Sequence, residues 1–267
     1  MTGPRIMAAL TMMASLALPA SAGTLTLSGT IRDFCAPNIA GSCTTLSDFE
    51  GDIPGVIANM TAPTLTGGLP TAGPNIVAGA SSAANFTKWY VDTPGVNVSK
   101  PLSITLTQDA SGLYAFASSS FFPIDGELFG NQGRSHNFHF TLHLEGQFSF
   151  SDPTLGEDFT FTFRGDDDLW VFVDGKRLID LGGVHGVAGA SFTEETLKAA
   201  GLLPGISYDL DIFFAERHTT KSNFAITTSF VIGDGPEPRD DVPEPGSLVL
   251  LASALAALGS RRMLRTS

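Results

Sequence analysis

The sequence predicts an all-β fold, a single β-sandwich, on three observations. Apolar residues recur at every second position over several stretches, the period of a strand with one face buried. Leu169-Trp170-Val171-Phe172-Val173 is apolar throughout, as expected of a central strand covered on both sides. Asp174-Gly175 then separates that stretch from Lys176 to Leu181, the signature of a two-residue hairpin turn.

Each element follows from the same reasoning. Phe138, Phe140 and Leu142 alternate with His139, Thr141 and His143, which places His139 and His143 on a polar strand face, exposed to solvent or hydrogen-bonded to a neighbouring strand. Phe159, Phe161 and Phe163 form a second row, and Leu210, Ile212 and Phe214 a third. Phe224, Ile226, Thr228 and Phe230 form a fourth. One stretch reads as helix, with Ser191 and Glu194 as a capping box, Leu197 and Ala200 facing inward and Gly201 ending it. Residues 60 to 86 are rich in Gly, Pro, Ala, Ser and Thr with little period, so they are expected to form a long irregular loop over the sheet. A hydrophobic fraction of 43% in 267 residues can furnish one large β domain, assigned to residues 23 to 232. Residues 233 to 242 read as a polar linker.

Charge and the two ends bear on compartment. A net charge of −12 argues against nucleic acid as partner and suits divalent cations or neutral ligands. Arg5, the apolar run from Ile6 to Leu18 and Ala20-Ser21-Ala22 form a secretory signal peptide, residues 1 to 22, with signal peptidase expected to cut after Ala22. Export to an oxidising compartment makes Cys35 and Cys43 a short disulfide, contributing about 2–3 kcal/mol. Near the other end, Val242-Pro243-Glu244-Pro245 leads into Leu248 to Leu258 and then Arg261, Arg262 and Arg265. The run is short of the ~20 residues a bilayer span needs. Residues 243 to 267 resemble a PEP-CTERM sorting signal. That resemblance implies processing by an exosortase in a Gram-negative bacterium that makes extracellular polysaccharide, with only transient membrane contact. An ordinary tail anchor is the alternative.

The chemistry concentrates at Asp166, Asp167 and Asp168, set directly against the apolar strand. Two carboxylates held ~4 Å apart repel by about 4 kcal/mol at an effective dielectric near 20. Hydration, protonation or a bound cation relieves such crowding. The segment Phe163 to His185, FRGDDDLWVFVDGKRLIDLGGVH, resembles the core motif of the fibro-slime family. Leu27 to Phe34, Asp48-Phe49-Glu50, Phe121 to Asp125, Ser135 to Thr141 and Tyr208 to Phe224 resemble further blocks of it in the same order, so that the likeness spans residues 25 to 230. That family in turn resembles the protective-antigen-type, jelly-roll-like sandwich found in carbohydrate-binding flocculin-type adhesins.

The resemblance implies Ca²⁺ as cofactor, held by Asp166 and Asp167 across a cis peptide, with Asn223 as a third metal ligand. Asp168, His185, Glu216 and His218 are the remaining candidate ligand-binding residues. Residues His218 to Asn223 are expected to join two neighbouring strands. A zinc site made by His185, His218 and Glu216 stays open as an alternative. Trp170 belongs in the core, whereas Trp89 and Tyr90 are candidates to stack on sugar rings at the surface. No nucleophile elbow, zinc helix, P-loop or dinucleotide fingerprint is present, so no catalytic residue is assigned. Glu145 with Glu216, or Asp125 with Asp158, would be the carboxylate pairs of a glycosidase. The expectation is a secreted cell-surface or matrix adhesion module that binds extracellular polysaccharide with calcium. A structural matrix protein with a purely stabilising cation, or a glycoside hydrolase, is the alternative.

Overall fold

The computed structural model describes residues 23–35, 43–150, 159–229 and 232–233. The signal peptide, nearly all of the linker and the sorting segment lie outside the described residues. Alternation becomes strand throughout: β1 (Thr24–Phe34), β2 (Asn97–Gln108), β3 (Tyr114–Ser118), β4 (Phe140–Phe148), β5 (Thr160–Asp166) and β6 (Asp168–Val173) are followed by β7 (Lys176–Leu181), β8 (Ala188–Thr193), β9 (Tyr208–Glu216), β10 (Asn223–Thr228) and β11 (Ile232–Gly233). The helices α1 (Ala83–Phe86) and α2 (Glu194–Ala199) are short. The strands form one antiparallel sheet in the order β7-β6-β9-β4-β1-β2-β3-β10-β5-β8, with β11 beside β4. Its two ends, β7 and β8, lie against each other, so the sheet curls into a flattened, nearly closed barrel. The fold is all-β and sandwich-like, as the periodicity predicts.

Strand β6 shows why two cores exist. Leu169, Val171 and Val173 point into the curl, where they join Leu142 and Leu144 of β4 and Leu210, Ile212 and Phe214 of β9. Trp170 and Phe172 point the other way and meet Phe213 together with Phe49, Phe86 and Trp89. Those last three come from residues 44–96, the stretch that includes the expected surface loop. Instead of an irregular excursion, it is a packed cover with its own apolar core. This overturns the surface role of Trp89 and Tyr90, which are 0% and 4% exposed. Trp89 Nε1 donates to Asp48 Oδ2 at 2.9 Å, which satisfies the indole's one polar atom in the interior.

Local chemistry sets the turns and caps. Asp174 and Gly175 both have positive φ, 50° and 69°, the geometry of a twist-matched hairpin turn. Helix α2 starts two residues later than its sequence suggests. Ser191 remains in β8 opposite Thr162, and the capping box is formed by Thr193 and Thr196. Sheet pairing holds the chain extended until Thr193. The His139 side chain is neither exposed to solvent nor bonded to a neighbouring strand, being 1% exposed beneath Glu50 and the edge of Phe49. The cover seals that end of the strand face. Cys35 and Cys43 form the expected disulfide.

Candidate functional site

Two chain crossings create the acidic site. β5 lies beside β10, and β6 beside β9, in separate parts of the sheet order. The chain passes from β5 to β6 through Asp166-Asp167, whose peptide bond is cis. It passes from β9 to β10 through residues 217–222. β9 and β10 are therefore not neighbours, contrary to the expectation for that loop, and the two crossings run side by side because the strands they join are paired.

The three aspartates face three ways. Asp166 Oδ1 accepts the backbone N–H of Asn223 at 2.5 Å, and its Oδ2 accepts Asn223 Nδ2 at 2.8 Å. Asp167 Oδ2 accepts the N–H groups of Arg217 and His218 at 3.0 and 3.1 Å, and Oδ1 that of His185 at 3.3 Å. Asp168 turns beneath the cover, where Arg217 donates to both of its oxygens at 2.6 and 3.2 Å and Gly183 N–H donates at 2.5 Å. Neither Asp168 nor Arg217 has exposed surface, so Asp168 builds the frame and presents nothing to a ligand.

Glu216 completes the site from the other crossing. It is 0% exposed, and among the described residues neither of its oxygens makes a well-formed hydrogen bond; the buried Ser222 hydroxyl and the His218 N–H favour its charged form only weakly against that burial. Burial pushes the Glu216 carboxyl well above the usual carboxylate range, with the charge of Asp167 adding to it. Burial also raises Asp167 to about 7, reinforced by Asp168, while the N–H and charge of Arg217 act against the rise. One guanidinium, already committed to Asp168, thus stands against four carboxyl groups at the two crossings. That excess of negative charge is what a hard cation with oxygen ligands would offset.

The other expected residues divide clearly. Asn223 meets Asp166 through its amide nitrogen, so it braces that carboxylate. His185 directs Nδ1 to the carbonyl of Gly186 at 2.7 Å, and His218 directs Nδ1 to Glu50 at 3.5 Å. Their rings do not converge with Glu216, which overturns the zinc alternative. Among the described residues, the group of three whose ligand atoms lie within 4.8 Å of one another is His143, Glu145 and Asp211. There His143 Nε2 already hydrogen-bonds with Asp211 at 2.8 Å and the ring stacks on Phe213, so the histidine is engaged within the chain. The Glu145–Glu216 pair is also overturned. Glu145 lies opposite Asp211, whereas Glu216 is five residues further along β9 on the opposite face, about 17 Å away. Glycosidase carboxylates lie ~5–9.5 Å apart. Asp158, and so the pair with Asp125, lies outside the described residues. Arg217 carries little signal in the sequence beyond a lone basic residue following Glu216 at the end of an apolar strand.

Fold and site together define an all-β module with a buried acidic cluster where two chain crossings meet. Residues 134–242 match the PA14 domain, and residues 241–262 match the PEP-CTERM protein-sorting motif, which marks the chain for export to the cell surface. Protein psiQ of Dictyostelium discoideum is 38% identical over 202 residues, covering 68% of this chain and 20% of psiQ. The chain thus spans about a fifth of that relative's length. Among solved structures, the PA14 domain of the MpAFP antifreeze protein aligns at a TM-score of 0.34 and 11% identity, over 85% of this chain and all of that domain. A PA14 sugar-binding domain from an RTX adhesin aligns at 0.30 and 14% identity, over 78% of this chain and 94% of that one.

Proposed function

We propose that this chain is a fibro-slime-type, calcium-dependent carbohydrate-binding adhesion module of the cell surface or extracellular matrix of a Gram-negative bacterium. The observation that carries it is the excess of buried carboxylate where the two crossings meet. Asp166 and Asp167 would hold the cation, with the Glu216 carboxyl adding negative charge from the adjoining crossing. Bound Ca²⁺ accepts six to eight oxygens, and sugar hydroxyls can fill the positions that protein leaves open. Around it, Asn223 fixes Asp166, the N–H groups of Arg217, His218 and His185 fix Asp167, and the Arg217–Asp168 pair holds both crossings against the cover. The PA14 match and the flocculin-type resemblance supply the ligand class, and the sorting motif supplies the setting. Extracellular polysaccharide is then the partner and exosortase the processing enzyme. No catalytic step is assigned to the site.

Glycan-array binding by the full chain, in calcium and again in EDTA, tests the reading. Binding that disappears in EDTA, and in the Asp166→Asn/Asp167→Asn variant, is the expected outcome. Unchanged Ca²⁺ affinity in that double variant would reject the metal assignment. Absence of glycan binding in both conditions, with Ca²⁺ still raising stability, would favour a structural matrix protein.

A further inference from the structure

The outer face of β3, β10, β5 and β8 begins at Asp166 and carries a feature that the acidic site does not use. Strand registers place Ala117, Ala225, Arg164 and Gly189 in one row across those strands. That row is the next one on the same face after the Asn223–Asp166 pair. Three of its four members have at most a methyl side chain, so the sheet surface sinks there into a groove of about 370 Å³. Sites for small organic ligands typically run from about 300 to 1,000 Å³. Ser119 and Val187 border the groove, Asn223 closes the end nearest the acidic site, and Arg164 lines it.

Arg164 is the anomaly. Five arginines fall among the described residues. Arg32, Arg134, Arg177 and Arg217 each hold a carboxylate of this chain. Arg164 is exposed and has no ion-pair or hydrogen-bond partner among the described residues, although the chain carries 27 acidic side chains against 15 basic ones. Asp166, two residues further along the same strand face, is taken by Asn223. A planar guanidinium in a concave, small-residue trough presents paired N–H donors to a carboxylate or sulfate. Val187, 42% exposed, offers an apolar wall for the C–H face of a sugar ring.

We propose that this groove is a subsite for an anionic saccharide unit, with Arg164 gripping its uronate carboxylate or sulfate ester while an adjoining unit occupies the Asp166–Asp167 site. The inference rests on the calcium-dependent glycan reading above and names the class of polysaccharide it takes. Arg164 selects the anion, and the acidic site supplies the second anchor on the same strand face.

The test measures binding of the full chain, in calcium, to matched neutral, uronate-containing and sulfated oligosaccharides. Wild type is compared with Arg164→Ala, Arg164→Lys and Asp166→Asn/Asp167→Asn. A charge-assisted bidentate contact predicts at least about tenfold tighter binding of an anionic form than of its neutral counterpart. That advantage should vanish in Arg164→Ala and shrink in Arg164→Lys, with Ca²⁺ affinity and neutral-sugar binding unchanged. The uronate and sulfate arms identify which anion is taken. An anionic preference that survives Arg164→Ala overturns the proposal, as does preference for an acidic peptide over every glycan. Calcium-dependent binding without any anionic preference overturns it while leaving the parent reading intact. Loss of all glycan binding by wild type overturns both.

Discussion

A guanidinium with no exposed surface is stable only when every donor finds an acceptor, and Arg217 meets that condition. Its donors reach both oxygens of Asp168 and the carbonyls of Asp48, Ala80 and Gly79, and its plane lies 4.9 Å from the Trp89 ring. Replacing it with Ala strands Asp168 in the interior, an arrangement that costs about 3–5 kcal/mol when one partner of a buried pair is removed. Thermal unfolding of Arg217→Ala should show a large fall in Tm, and Arg217→Lys a smaller one, since an ammonium keeps the charge but cannot span the same acceptors. The aspartates were legible in the sequence because they are contiguous and unusual beside an apolar run. Arg217 was not, because its meaning depends on backbone carbonyls supplied by a segment more than a hundred residues earlier.

At the scale of elements, the cover formed by residues 44–96 decides how much of β6 is buried. Trp89 contacts Phe49, Phe86 and Trp170 and anchors Asp48. Trp89→Ala should therefore lose about 3–5 kcal/mol in urea denaturation, and more than a core Leu of similar exposure because the Asp48 carboxylate loses a donor. Periodicity made β4, β5, β9 and β10 visible through alternating bulky apolar residues, and β6 stood out as an unbroken apolar run before a hairpin turn. β1 and β2 hide from the same test. Their outward positions are Thr and Ser, and their burial pattern breaks in mid-strand, at Gly29-Thr30 and around Pro101. The cover hides for another reason: its apolar residues are spaced by turns, so no period marks them as core.

For the whole molecule, charge couples stability to pH and to cation. Burial raises Asp33 and Asp167 to about 7, and it also raises Glu216 well above the usual carboxylate range. An acid with a folded pKa above its unfolded value favours folding while protonated, and that contribution is lost as pH rises from about 4 through the folded pKa. His139, lowered to about 4 chiefly by burial, acts in the opposite sense between about 6.5 and 4. Three raised acids outweigh one lowered base, so in EDTA the melting temperature should fall from pH 5 to pH 8. Asp167→Asn should flatten that fall. Added Ca²⁺ should offset it, by about 2.7 kcal/mol at a hundred times its Kd. A melting temperature that rises steadily over that range in EDTA would contradict the charge account. The fold class was legible from local pattern, whereas the convergence of Glu216 on Asp167 required two crossings that no single stretch of sequence encodes.

The ends of the sheet order have a consequence of another kind. The outer side of β7 does not face solvent bare: Ile57 pairs with Gly182, Thr64 with Lys176, and Arg177 N–H donates to Pro63. An open strand edge templates the addition of further strands from other molecules. Copies crowded on a cell surface would meet often enough to polymerise through such an edge. With this flank occupied from within the chain, neighbouring molecules can stand close without fusing into fibrils. Ile57→Pro removes the N–H that reaches Gly182 O at 2.6 Å, and concentrated solutions of that variant should scatter light and bind amyloid dyes where the parent stays clear.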